Sequence, residues 1–202
     1  MSVGSTEPTG TTGLYGGAFD PPHRGHVALA DAAKRELGLD RLIVLVSAAP
    51  GHKDVATPAA ERLQLARAAF PADEVVLDDH ARTVETLRAH PEWIDPIFLI
   101  GADQFAGFLD WTAPDEVLAR TRIAVATRPG YPADRLSGVL DRLEHPERVS
   151  FFELDPVPVS STELRARVAR GASIAADVPA AVAELIERRG LYRGAPGYTG
   201  AA

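Results

Sequence analysis

Short apolar runs alternate with helical periodicity along almost the whole chain, and few folds accommodate that order. Residues 13–17, 42–46, 75–77, 97–100, 123–126 and 150–154 are brief, apolar and bounded by turn formers, the mark of buried strands. Between them apolar residues recur three and four apart, which predicts helices over 26–37, 59–70, 84–89, 114–119, 133–143, 161–169 and 179–189. Strands separated by helices pair through crossovers rather than hairpins, and crossovers make them parallel. The expected fold is therefore α/β: a single doubly wound, Rossmann-like domain with a parallel sheet. Ligands of such sheets bind beyond the carboxyl ends of the strands, so the loops that follow strands are where chemistry should lie.

At 202 residues the chain suits one domain rather than two. Residues 1–12 and 194–202 are dominated by Gly, Ser, Thr, Pro and Ala, and read as flexible tails around a domain over 13–193. The formal net charge of −7 argues against a nucleic-acid partner, because binding that polyanion depends on Lys and Arg neutralising phosphates. A locally positive cleft for a small anion is still compatible with an acidic protein. No stretch approaches the apolar length a bilayer requires, and the first residues lack the basic and apolar regions of a secretion signal. The expectation is no membrane partner and a cytoplasmic location. Nothing in the composition selects an oligomeric state. The absence of cysteine excludes disulfides, thiolate catalysis and thiolate zinc sites.

The segment Gly16-Gly17-Ala18-Phe19-Asp20-Pro21-Pro22-His23-Arg24-Gly25-His26 leaves the first predicted strand and enters the first helix. Paired glycines let backbone approach a ligand, prolines stiffen the loop, and a helix entrance presents unpaired amides and a positive dipole end. His23 and His26, three apart, can both turn toward one bound phosphate and donate to it. Two plainer readings compete: a tight turn with a surface histidine pair, or a zinc pair, which would need a third ligand such as His52 or His80. The segment is neither a P-loop nor the GxGxxG dinucleotide fingerprint. A second phosphate-type segment is Ser160-Ser161-Thr162-Glu163-Leu164-Arg165. Its hydroxyls suit helix capping, and Arg165, folded back toward the helix start, adds a guanidinium suited to phosphate.

The first segment resembles the GGxFDPxHxGH signature of the nicotinate-nucleotide adenylyltransferases, within the HxGH nucleotidyltransferases, and matches it at every specified position. The second resembles the same family's ISSTxxR motif, with Val159 in place of Ile. Further matches run from residue 13 to 192. Pro50-Gly51-His52-Lys53 resembles PPHK with glycine for the second proline, and Ser47 stands where an earlier proline is common. Gly101 and Asp103 match IGxD, Trp111 matches a tryptophan that stacks the acceptor's pyridine ring, and Arg128 matches RPG. Val178-Pro179 with Val182, and Leu191-Tyr192, resemble closing elements that serve packing. One departure stands out: where the family carries Ser-Tyr-Thr ahead of a Thr-Leu pair, this chain has Ala81-Arg82-Thr83 before Thr86-Leu87, in a shortened segment.

The resemblance implies transfer of the adenylyl group of ATP to nicotinate mononucleotide, giving nicotinate adenine dinucleotide and pyrophosphate. It implies His23, His26 and Lys53 as catalytic groups. It places Gly16, Gly17, Phe19, Gly25, Gly101, Asp103, Ser161, Thr162 and Arg165 on ATP, and Thr83, Trp111 and Arg128 on the acceptor; Arg82, at the departure, is counted with the acceptor residues on its own chemistry. Mg²⁺ is expected to arrive with the ATP phosphates, so no protein metal site is expected. Asp20 reads as a loop organiser. Other phosphate acceptors, nicotinamide mononucleotide or phosphopantetheine, stay open as alternatives, as does a non-catalytic nucleotide-binding module. Arg82 is expected to pair with the acceptor's carboxylate, or else to be solvated.

Overall fold

The computed structural model describes residues 10–50, 55, 57–129, 131 and 133–194, with the side chains of 133–135 left aside. In chain order the elements are β1 (Thr12–Gly17), α1 (Arg24–Leu37), β2 (Arg41–Ser47), α2 (Ala59–Ala69), β3 (Glu74–Asp78), α3 (Thr83–Ala89) and β4 (Ile97–Gly101). Then follow α4 (Ala102–Ala106), α5 (Pro114–Arg120), β5 (Arg122–Thr127), α6 (Ala133–Leu140), β6 (Val149–Glu153), α7 (Ser161–Ala169) and α8 (Ala180–Arg189). All strands pair in parallel, in the order β3-β2-β1-β4-β5-β6. The order reverses between β1 and β4, and the crevice opened there is where a doubly wound sheet takes its ligand.

Both faces of the sheet are covered, as a parallel sheet requires. The pleat sends Tyr15 to a core shared with α1, α2 and α8, where Leu29, Leu65 and Leu185 lie, and sends neighbouring Leu14 to a second core with Phe105, Val117 and Leu136. Val44 and Val46 project into the first core, Ile43 and Leu45 into the second. Among the described residues no helix is long and apolar enough to cross a membrane.

The predicted elements are all present, with shifted ends. The first helix begins at Arg24, two residues earlier than its apolar period suggested, which puts His23 at the N-cap and His26 in the first turn. Strand β6 lies one residue earlier than expected and α6 ends at Leu140. Helix α4 was not foreseen: five residues are too few for a period to register. The tail boundary at residue 12 cuts into β1, since Thr12 pairs with Arg41 and the Thr11 amide donates to Asp40 Oδ2 at 2.7 Å. The rest of both expected tails, 1–9 and 195–202, lies outside the described residues.

Candidate active site

The loop from β1 to α1 is shaped by close packing. Phe19 takes φ 51°, and its ring folds back beneath Gly17, where a Cβ would stand 2.9 Å from Cζ. A side chain at Gly17 would displace that ring. Phe19 is 2% exposed and meets Tyr15, Phe70 and His26 edge-on, at 5.5, 5.7 and 5.2 Å between centroids. The Phe19 side chain is thus a core group that props the His26 ring, so its expected place on ATP would fall to its backbone.

His26 Nδ1 accepts the backbone N–H of His23 at 3.1 Å, so the neutral ring carries its proton on Nε2 and presents a donor there. The two imidazoles lie 3.7 Å apart and 30° from parallel. That approach needs Gly25, where a Cβ would sit 3.1 Å from both Cε1 and Nδ1 of His23. Burial pushes the His23 imidazole down to about 4, against the opposing pull of Asp177, so the ring is neutral at pH 7. The helix entrance is less open than expected. The Arg24 amide donates to Asp177 O at 2.8 Å, and the His26 and Val27 amides to His23 O at 2.9 and 3.2 Å. Ring N–H groups and the helix dipole, more than a fan of free amides, remain for an anion.

Elements distant in sequence hold this loop. Arg165, on α7, donates through Nη1 to Asp20 O at 2.7 Å, and Ser161 Oγ donates to Pro21 O at 2.8 Å. Thr162 Oγ1 accepts from Arg165 Nη2 at 3.4 Å, while the N-cap itself is Ser160, whose Oγ accepts the Glu163 amide. Tyr192 donates its hydroxyl to Asp20 Oδ1 at 2.7 Å. Asp20 and Arg165, 4.0 Å apart at closest charged atoms, form a buried pair. Buried side-chain atoms without a hydrogen-bond partner among the described residues include Asp20 Oδ2, His23 Nδ1 and Arg165 Nε, all in this one region. Such a concentration marks a place built for chemistry rather than for stability alone. Beside the histidine pair no third His, Cys, Asp or Glu completes a metal site among the described residues.

Arg62, on α2, is 1% exposed and gave no signal in the sequence. It donates to Ala18 O at 2.8 Å, Ser47 O at 2.7 Å, Ala48 O at 3.0 Å and Thr57 O at 3.0 Å. One guanidinium thus joins the loop after β1 to the loop after β2. Burial lowers its affinity for its proton, and Asp20 and Tyr192 counter that.

Two cavities lie at the carboxyl end of the sheet. The larger, about 490 Å³, is bordered by Gly16, Gly17 and Ala18 on one side and by the β3–α3 segment and Trp111 on the other. Trp111 packs edge-on against Phe98, 6.2 Å between centroids, and leans on Phe108 at 5.2 Å, so its ring stands as a firm wall. Thr83 lines the same cleft, and Arg82, exposed at the rim, donates a short hydrogen bond to Thr112 Oγ1. Asp78, His80 and Thr86 also face this cleft, and sequence reasoning missed them as a group. The smaller cavity, about 160 Å³, is bordered by Leu29 of α1, Gly101, Asp103, Ala126 and Arg128. Asp103 borders both cavities, with Tyr131 Oη donating to its Oδ1 at 3.4 Å. Arg128, expected with the acceptor residues, instead borders the smaller cavity, across Asp103 from Arg82, Thr83 and Trp111. Lys53 and His52 lie outside the described residues.

The cytidylyltransferase-like family model matches residues 14–167. A protein of Rubrobacter xylanophilus described as "Probable nicotinate-nucleotide adenylyltransferase" is 37% identical over 90% of this chain and 91% of its own length. One of Thermus thermophilus with the same description is 35% identical over 90% of this chain and 98% of its own. Among solved structures, a Plasmodium falciparum nicotinic acid mononucleotide adenylyltransferase complexed with NaAD superposes with a TM-score of 0.74 at 16% identity, over 91% of this chain and 97% of that one. That last likeness is one of fold.

Proposed function

The chain belongs to the cytidylyltransferase-like family and, within it, to the nicotinate-nucleotide adenylyltransferases, and from that premise we propose how its own residues transfer an adenylyl group from ATP to nicotinate mononucleotide in NAD biosynthesis. The observation that carries the proposal is the histidine pair at the entrance of α1, which follows directly on the Gly16–Ala18 border of the larger cavity, at the end of the sheet where that cavity and the smaller one share Asp103. The smaller cavity takes the adenosine, with Asp103 on its ribose and Arg128 beside it. The larger takes the pyridine mononucleotide against Trp111, a flat face that supplies apolar area to a flat ring.

Between them an acceptor phosphate oxygen forms its bond to the α-phosphorus as the bond from that phosphorus to the bridging oxygen of pyrophosphate breaks. The nucleophile is already ionised at neutral pH, so alignment and charge stabilisation account for the catalysis, without a general base or an enzyme-bound intermediate. His26, its Nε2–H fixed by the His23 amide, donates to the oxygens on which charge grows, with His23 and Lys53 as further donors. Arg165 holds the leaving pyrophosphate together with Ser161 and Thr162, while its bond to Asp20 O keeps the clamp and the β1–α1 loop in register. Gly16, Gly17 and Gly25 keep the loop free of side chains. Arg82 adds positive charge at the cleft rim. A divalent cation, Mg²⁺ on this reading, enters as part of the nucleotide, coordinated by its phosphates. Asp20, the carboxylate nearest the clamp, accepts from Tyr192 through Oδ1 and organises the loop.

The setting assigned by this proposal is the cytoplasm, with the two nucleotides as partners and no nucleic acid. The test is ATP-dependent pyrophosphate release with nicotinate mononucleotide, nicotinamide mononucleotide and phosphopantetheine as acceptors. Turnover should be fastest with the first. ATP binding with no turnover on any of them would replace the enzyme by a binding module.

A further inference from the structure

The shortened segment between β3 and α3 carries a hydrogen-bonded chain whose last atom bears on acceptor choice. Asp78, which ends β3, is the centre of it. Its Oδ1 accepts the His80 backbone amide at 3.1 Å and pairs with His80 Nδ1 at 2.9 Å, while its Oδ2 accepts the Thr86 hydroxyl at 2.8 Å. Thr86 is buried on α3, where its hydroxyl also lies 3.3 Å from Arg82 O, so the carboxylate is held from two elements. With Nδ1 on a carboxylate, Nδ1 carries a proton, and Nε2 is the only ring nitrogen left for a ligand. His80, Asp78 and Thr86 line the same cleft as Trp111. Arg82, by contrast, is exposed, with one guanidinium nitrogen already on Thr112.

We propose that His80, oriented by Asp78 and Thr86, is the residue that meets the substituent of the acceptor's pyridine ring and reads whether it is an acid or an amide. This rests on the acceptor being a pyridine mononucleotide, as argued above. The two substituents demand different ring states. A carboxylate has only acceptor atoms, so contact with Nε2 requires a second ring proton, and the imidazolium then bridges two carboxylates. A carboxamide offers an N–H, which neutral Nε2 accepts with no added proton. The charged groups around the ring are Asp78 on β3, Arg82 at the start of α3, and Asp103 and Asp110 on the opposite wall.

If the acid meets the imidazolium and the amide meets the neutral ring, the acid complex holds roughly one proton more than the amide complex. The mononucleotide phosphate is common to both ligands, so its own protonation cancels in the difference. Titration calorimetry of the full chain with each mononucleotide, in two buffers of different ionisation enthalpy, reads that difference directly. In His80→Gln, which keeps a polar side chain but does not titrate, the difference should vanish. In the same variant kcat/KM for nicotinate mononucleotide should fall about tenfold or more through KM, with that for nicotinamide mononucleotide changing less than about threefold, the ordinary gap between charge-assisted and neutral hydrogen bonds. Asp78→Asn should move both readouts the same way while melting as a folded protein, and KM for ATP should stay unchanged in both variants. If the unmodified protein transfers adenylyl to neither pyridine mononucleotide, the acceptor reading falls and this inference with it. If both are substrates, yet bind with equal proton uptake and His80→Gln keeps the acid-to-amide ratio, the assignment of His80 alone is overturned.

Discussion

His23 and His26 are neighbours with opposite physical situations, and each supports a prediction. His26 accepts a backbone amide at Nδ1, so its neutral ring carries the proton on Nε2, a donor suited to a phosphoryl oxygen whose charge grows as the bond to pyrophosphate breaks. His26→Ala should therefore lower kcat roughly a hundredfold or more while KM for ATP changes little, since the lost contact strengthens in the transition state. Steady-state kinetics decide this, and near-normal turnover would remove His26 from the mechanism. His23 is held neutral by burial, its affinity for a proton lowered from 6.5 to about 4. Between those values the unfolded chain binds the proton and the folded chain does not. Stability is then fully present above about pH 6.5 and lost as pH falls toward 4, by up to about 3 kcal/mol. Urea midpoints of the unmodified protein and of His23→Gln should converge with falling pH across that window, and parallel curves would contradict the assignment. The histidine signature was legible in the sequence because its spacing and glycines are local. That the Phe19 side chain serves the motif from below was not legible, because only the ring contacts reveal which way it points.

At the scale of elements, the strand and crossover pattern was readable from apolar periodicity, and the parallel sheet followed from it. Position after a strand told which end of the sheet a residue would reach, though not which side of the crevice. That is why Arg128, which follows β5, was grouped with the acceptor residues and stands at the other cavity. The Asp78–His80–Thr86 chain was hidden for a related reason, since a β3 carboxylate and an α3 hydroxyl meet only after the segment between them is folded. Helix α7 carries a prediction of its own, because Arg165 reaches both the β1–α1 loop and the place proposed for the departing pyrophosphate. Arg165→Ala should raise KM for ATP about tenfold or more, and Arg165→Lys should recover only part of it, because a point charge cannot bridge as a planar guanidinium does. Unchanged ATP kinetics would reduce α7 to a strap. The short turn carrying Trp111 makes the complementary case: Trp111→Ala should weaken nicotinate and nicotinamide mononucleotides together, by about tenfold, since a ring face reads area rather than charge. A selective loss of either ligand in binding measurements would argue that the tryptophan does more than stack.

Across the whole molecule, the loop that bears the histidines is closed by the far end of the chain. Tyr192 lies on Asp20, and both are mostly buried. Tyr192→Phe removes a donor and leaves the carboxylate short of a partner, so denaturant unfolding should show a loss of about 1–3 kcal/mol, with turnover reduced as the loop loosens. A variant as stable as the parent would show that the hydroxyl is dispensable. Such a contact joins residues 172 apart, and the sequence showed Tyr192 only as part of a closing packing element, with no sign of its partner. Arg62 was equally invisible, since an arginine on a helix usually reaches solvent and its partners here are main-chain carbonyls, which every residue type carries. That last property has a consequence for mutational tolerance. A clamp that grips carbonyls is blind to side-chain identity, so positions 18, 47 and 48 should accept many replacements in a saturation library so long as the backbone path survives, whereas Thr57 is buried and its side chain bonds Tyr192. Position 62 should accept almost none, lysine included, because three ammonium protons on a flexible stem cannot reach four fixed oxygens at once.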